Sequence, residues 1–231
     1  MTTESITAPS PDGRFDLPTV LREARGLIKG SKRTVFVLGL LGVLVHLGLA
    51  AIESYTTPDG RAGTGPDLVW LTVSSLIVLP VTIAVTAVAL RRAAGRPVSD
   101  RILLEYIGHY PGFAVIALLP VLFLSIAGQL PTILVVIVLI VLGSMFGFAG
   151  YYMLDRDLSP FAAMRASLQL FFVNFRRLLL FWLVSAVLTI VSLLTLGIGF
   201  IWVAPFLTIA HGLMYAHAAG LQRFAPEERP A

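Results

Sequence analysis

Long apolar stretches without a single ionised side chain divide this chain. Residues 34–52, 19 positions between Arg33 and Glu53, carry no charge, and residues 68–90 between Asp67 and Arg91 give 23 more. Residues 106–154 form a stretch of 49, and residues 178–222 one of 45. About 20 helical residues, rising about 1.5 Å each, cross about 30 Å of hydrocarbon. The first two stretches are therefore single crossings, and the last two are hairpins. The hairpins turn at Gly128-Gln129-Leu130-Pro131 and near Gly197-Ile198-Gly199. The pattern predicts six spans, at roughly 34–54, 68–90, 111–128, 131–153, 177–196 and 199–222. Continuous apolarity calls for helices, because a membrane barrel alternates apolar and polar residues over short segments. The expected fold class is all-α, a polytopic helical membrane protein with six transmembrane helices.

Three segments ahead of the odd-numbered spans share a layout: 17–33, 98–110 and 158–177. Each opens on a helix-start signal, namely Pro18, Ser99-Asp100 and Ser159-Pro160. In the first, Val20, Leu21, Ala24, Leu27 and Ile28 share one helical face, while Arg22, Glu23, Arg25, Lys29 and Lys32 lie elsewhere. Such a basic amphipathic helix lies along the membrane surface before the chain turns inward. The expectation is an interfacial helix before spans one, three and five, giving a threefold hairpin repeat with units at about 17–92, 98–153 and 158–222. Together these form one transmembrane domain, 17–222, between a disordered cytoplasmic leader at 1–16 and a cytoplasmic tail at 223–231. The leader opens with the polar, proline-containing residues 1–13.

Charge sets the orientation. Of 17 Lys and Arg residues, 16 fall in the segment before span one, in the loops after spans two and four, and in the tail; only Arg61 falls on the other side. By the positive-inside rule both termini are cytoplasmic. The net charge of +4 thus serves topology, and nucleic acid is not expected as a partner. Composition agrees: 57% of residues are hydrophobic, 13% are charged and mean hydropathy is +0.87, which excludes a disordered chain and an ordinary soluble domain. Cysteine is absent, which removes disulfides, thiolate metal sites and thiol nucleophiles. The first apolar run starts too late and is too long for a cleaved secretory signal, so span one is expected to remain as an anchor.

The segments 21–44 and 158–218 resemble the YciC-like group of uncharacterised bacterial six-helix membrane proteins. The likeness lies in the Ser-Pro-Phe helix start at 159–161 with Ala163 and Ser167, in Asn174 beside basic residues, in the Gly197-Ile198-Gly199 hairpin and in Pro205 of span six. The resemblance implies a bacterial inner-membrane location and transfers no catalytic residue.

No Asp, Glu, Lys or Arg lies in the centre of a span, which argues against a proton-driven pump. Histidine supplies the notable polarity. His46 lies about 18 Å and His211 about 16.5 Å from the inner ends of spans one and six. Two imidazoles at one depth suit a b-type haem or a metal, a protonating pair, or an interhelical hydrogen bond. His109 is expected at the inner interface against headgroups. Pro80, Pro120 and Pro205 kink their spans, with Thr82, Ser125 and Thr208 near enough to satisfy freed groups or line a cleft. Gly143 and Gly147, followed by Gly150, form a small-residue face for an internal contact or a homodimer seam. Ser185, Thr189 and Ser192 form a polar stripe read as interhelical glue. Arg91, Arg92, Arg176 and Arg177 sit at phosphate level and are the expected lipid-binding residues.

Nucleotide, zincin and hydrolase motifs are absent, and no loop is long enough for a soluble active site, so an enzyme is not expected. The first reading is an accessory or scaffold protein associating with membrane lipids or a larger membrane complex. The alternatives are a transporter or lipid-facilitating channel at the kinked helices, and a haem or metal redox carrier using His46 and His211.

Overall fold

Asp16 begins the first helix. Its carboxylate accepts hydrogen bonds from the Thr19 hydroxyl at 2.6 Å and the Thr19 amide at 3.1 Å, and these bonds hold the carboxyl below its ordinary pKa range. The resulting helix α1 spans Leu17–Leu27. The structure, a computed structural model, describes residues 13–56, 68–99, 101–127, 131–195 and 197–224. The remaining elements are α2 (Lys32–Thr56), α3 (Leu68–Ala93), α4 (Ile102–Glu105), a 3-10 turn at Ile107–His109, α5 (Tyr110–Ala127), α6 (Thr132–Phe146), α7 (Ala149–Arg156), α8 (Pro160–Leu194) and α9 (Phe200–Ala219). Among the described residues there is no strand, and six helical stretches are long and apolar enough to cross a membrane. This is a multi-pass helical membrane protein.

The even-numbered spans form the interior. Half of the α3 window is buried, and 44% of those of span four and α9, against 22%, 11% and 22% for α2, span three and α8. Lipid offers no hydrophobic drive for helices to associate, so close packing must hold them together, and small residues permit it. Ala84, Ala87 and Ala89 of α3 are fully buried, as are Ala210, Gly212 and Ala216 of α9 or nearly so. The odd-numbered spans present Leu44, Leu122 and Leu183 outward, as lipid-facing helices do.

Packing runs in a cyclic order. α2 lies against α3 and α9; α5 lies against α6 and α3; α8 lies against α9 and α6. The segments before each odd span follow the same order, with α4 on α3, α8 on α7 and α1 on α9. Each unit therefore leans on the even span of the unit before it, and the first leans on the last.

Several sequence expectations need correction. The leader does not extend to residue 16. Phe15 is buried, its amide donates to Asn174 Oδ1 at 3.3 Å, and Asn174 Nδ2 donates to the Gly13 carbonyl at 2.9 Å. Residues 1–12 and 225–231 of the expected leader and tail lie outside the described residues. The second interfacial helix is reduced to one turn, α4, plus the 3-10 turn. The third is not a separate helix: Ser159 and Pro160 do start it, but it continues into span five as the 35-residue α8. The bend is confined to buried Asn174 (φ −112°, ψ 15°), whose side chain bonds the segment docked there. Span four breaks at Gly147 and Phe148. The Ser167 hydroxyl bridges the break, donating to the Met145 carbonyl at 2.7 Å and accepting from the Phe148 amide at 3.2 Å. That answers the membrane requirement that freed backbone groups find partners. The stripe on span five is not interhelical glue, because the Ser185 and Ser192 hydroxyls donate to Phe181 and Leu188 of their own helix.

Candidate functional site

A cavity of about 680 Å³ opens between α2, α3, α5 and α6. Its size falls among small-molecule sites, which run from about 300 to 1,000 Å³. Along α3 its lining runs from Trp70 to Thr86, about 24 Å at 1.5 Å per residue. Ser74, Val78, Thr82 and Thr86 recur every four residues and so share that face. Gly143, Gly147 and Gly150 all line the cavity. A Cβ at Gly143 meets nothing within 4 Å, whereas one at Gly150 meets the Phe113 ring at 2.8 Å. The small-residue face of span four thus forms one wall of this cavity. Of the three kinking prolines, Pro120 lines it. The wall is mainly aliphatic and aromatic, with Phe113 and Phe146 at the Thr86 end.

Ser74 and Ser75 stand in the half of the cavity nearer Trp70, and His46 lines the same cavity from α2. His46 Nδ1 lies 2.8 Å from the Gly42 carbonyl oxygen. A carbonyl only accepts, so Nδ1 carries the hydrogen and Nε2 of the neutral ring keeps its lone pair. His211 lies elsewhere, on α9. Its ring is 4.7 Å from Phe181, 5.8 Å from Trp182 and 6.1 Å from Phe148, centroid to centroid, and its Nδ1 is 3.0 Å from the Leu207 carbonyl. Trp182 Nε1 in that cage is buried without a hydrogen-bond partner among the described residues. His46 is not part of the cage and His211 does not line the cavity, so the two imidazoles are not brought to one site.

The four arginines also divide. Arg92 donates to the Leu27 and Lys29 carbonyls, both at 2.7 Å, closing the end of α1. Arg91 pairs with Glu105 at 2.5 Å and lies over the Tyr106 ring. Both guanidinium groups therefore serve the fold rather than standing open to lipid. Arg176 is exposed and Arg177 half-buried.

Further polar side chains, among them Asp155, which the sequence reading passed over, hold the end of the bundle where these arginines lie. Asp155 is buried. Its carboxylate accepts from the Tyr215 hydroxyl at 2.9 Å, the Gln222 amide at 3.0 Å and the Phe224 amide at 3.3 Å. Arg156 donates to the Ala219 carbonyl. His109 lies 3.3 Å from Asp157, which also pairs with Arg223, rather than reaching outward to headgroups. His217 meets Glu23 of α1 at 2.9 Å. These contacts tie the segment before α2, the α3–α5 connection, the α7–α8 connection and the end of α9 to one end of the bundle. In the sequence, Asp155 marked only the end of an apolar run.

No family model, curated protein or solved structure matches this chain.

Proposed function

We propose that this is a non-enzymatic, lipid-associating accessory protein of the bacterial cytoplasmic membrane that holds the apolar chain of a membrane amphiphile between α2, α3, α5 and α6. The cavity carries this reading: it is long, mainly apolar, and set within the spanning helices. Arg176, with Arg177 beside it, supplies positive charge at headgroup level, an auxiliary contact for anionic lipid. Purification in mild detergent followed by native mass spectrometry is expected to show a bound amphiphile at near one per chain. Gly143→Leu projects from the cavity wall into open space and narrows the cavity, so the same preparation is expected to lose most of that mass. Equal occupancy in the variant would sink the proposal. An absorption spectrum of the same sample tests the haem alternative, in which a Soret band would point to His46 alone because His211 has other surroundings. A solute flux through proteoliposomes that Gly143→Leu abolishes would instead favour the channel alternative.

The orientation we assign places both termini in the cytoplasm and the Trp70 end of the cavity toward the outer leaflet. The cysteine-free chain allows single-cysteine labelling without background. A membrane-impermeant maleimide is expected to label a cysteine at position 61 in intact cells, and one at position 223 only after permeabilisation. Labelling of both from outside would overturn the assignment.

A further inference from the structure

We infer that the cavity selects a single-chain amphiphile whose head is uncharged and bears hydroxyl groups, held at the Trp70 end by Ser74 and Ser75 and from α2 by His46, with its chain running toward Phe113 and Gly150. This rests on the lipid-holding role proposed above and names the class of ligand.

Hydroxyl bonding in the spans points to it. A hydroxyl in a membrane helix ordinarily returns its hydrogen to the carbonyl one turn back. Thr86, Ser144, Ser185 and Ser192 all do so, at 2.7–2.9 Å. Ser74 and Ser75 sit on the same kind of helix and donate to no group among the described residues; both line the cavity. Their hydrogens are free for whatever occupies it. On α2, the bond to Gly42 leaves His46 Nε2 as an acceptor. Together the site offers hydroxyl donors on one helix and a nitrogen acceptor on another. A ligand hydroxyl complements both, because it accepts from a serine and donates to the imidazole.

Charge completes the selection. Among the described residues, no Lys, Arg, Asp or Glu lines the cavity. An ionised phosphate or carboxylate there would lose its hydration without gaining a cation, which is costly in an apolar setting. A neutral polyol head loses less and regains its hydrogen bonds. The aliphatic and aromatic far end then accommodates one chain.

Trp70 reports on occupancy. In a Trp182→Phe, Trp202→Phe background it is the sole tryptophan. The protein is reconstituted and titrated with three 9,10-dibromostearoyl probes: the monoglyceride, the lysophosphatidate, and the free acid at a pH where it is ionised. The monoglyceride is expected to quench Trp70 at about a tenfold lower mole fraction than either charged probe. Ser74→Ala with Ser75→Ala removes hydroxyls that no protein group needs, and is expected to raise the mole fraction of monoglyceride needed about tenfold, in line with two neutral hydrogen bonds. His46→Leu is expected to produce a similar rise from a different helix, which separates recognition from damage to α3. Equal quenching by the three heads, or a monoglyceride titration that neither set of substitutions moves, would overturn this inference alone. Absence of quenching by any brominated chain would overturn the lipid-holding role with it.

Discussion

Replacing Asp155 by alanine is expected to lower the melting temperature of the detergent-solubilised protein by an amount on the order of 10 °C. The carboxylate is buried and gathers three donors, the Tyr215 hydroxyl and the Gln222 and Phe224 amides, with the Arg156 guanidinium at 3.9 Å. Breaking such a buried charged cluster from one side costs about 3–5 kcal/mol, because the partners stay buried and unsatisfied. For a chain of this length about 1 kcal/mol corresponds to roughly 2–4 °C. Hydrogen exchange supplies the local reading: the Gln222 and Phe224 amides should lose protection while α3 keeps its own. Asp157→Asn, at an exposed carboxylate, is the matched control and should melt within a few degrees of the parent. A variant at position 155 that melts with the parent and keeps those amides protected would show that the cluster does not hold this end of the bundle.

The second large effect is expected at Gly212→Ala. A Cβ there would lie 2.6 Å from the carbonyl carbon of Ala89 and 3.1 Å from the Ala89 side chain. The obstruction is backbone, so no rotamer change relieves it, and α3 and α9 must move apart. Those two helices hold most of the fully buried side chains. A loss of about 3 kcal/mol, at the upper end of overpacking costs, is expected. Gly48→Ala on α2 meets nothing within 4 Å and should leave stability near that of the parent. Parallel thermal denaturation of the two variants, read as loss of the monodisperse species, decides the matter. Equal melting would mean the α3–α9 contact is not tight in solution.

The spans were legible in the sequence because they depend on a compositional fact, the absence of ionised side chains over hydrocarbon-length stretches. Their six-fold count needs no knowledge of packing. Helix starts at Pro18 and Ser159-Pro160 were legible for a similar reason, since such signals act within a turn. The bend at Asn174 and the break at Gly147 were not, because each is set by a remote partner: the Gly13–Phe15 backbone in one case and Ser167 in the other. The cavity left a trace in the four-residue recurrence of Ser74, Thr82 and Thr86 on span two. Span five offered a similar stripe at Ser185 and Ser192, and spacing alone cannot separate a hydroxyl that bonds its own helix from one that faces open space. Depth alone likewise paired His46 with His211, whereas rotation about each helix axis sends them to different neighbours.

The contact of α1 with α9 bears on how this protein is made. Leu17, Val20 and Ala24 emerge from the ribosome well before α9, the span that buries them. Until then α1 has only the leaflet to rest on, and the Gly13–Phe15 segment has no Asn174 to grip. A polypeptide cut short before residue 200 would keep its earliest-made apolar face open to the proteases that patrol the membrane.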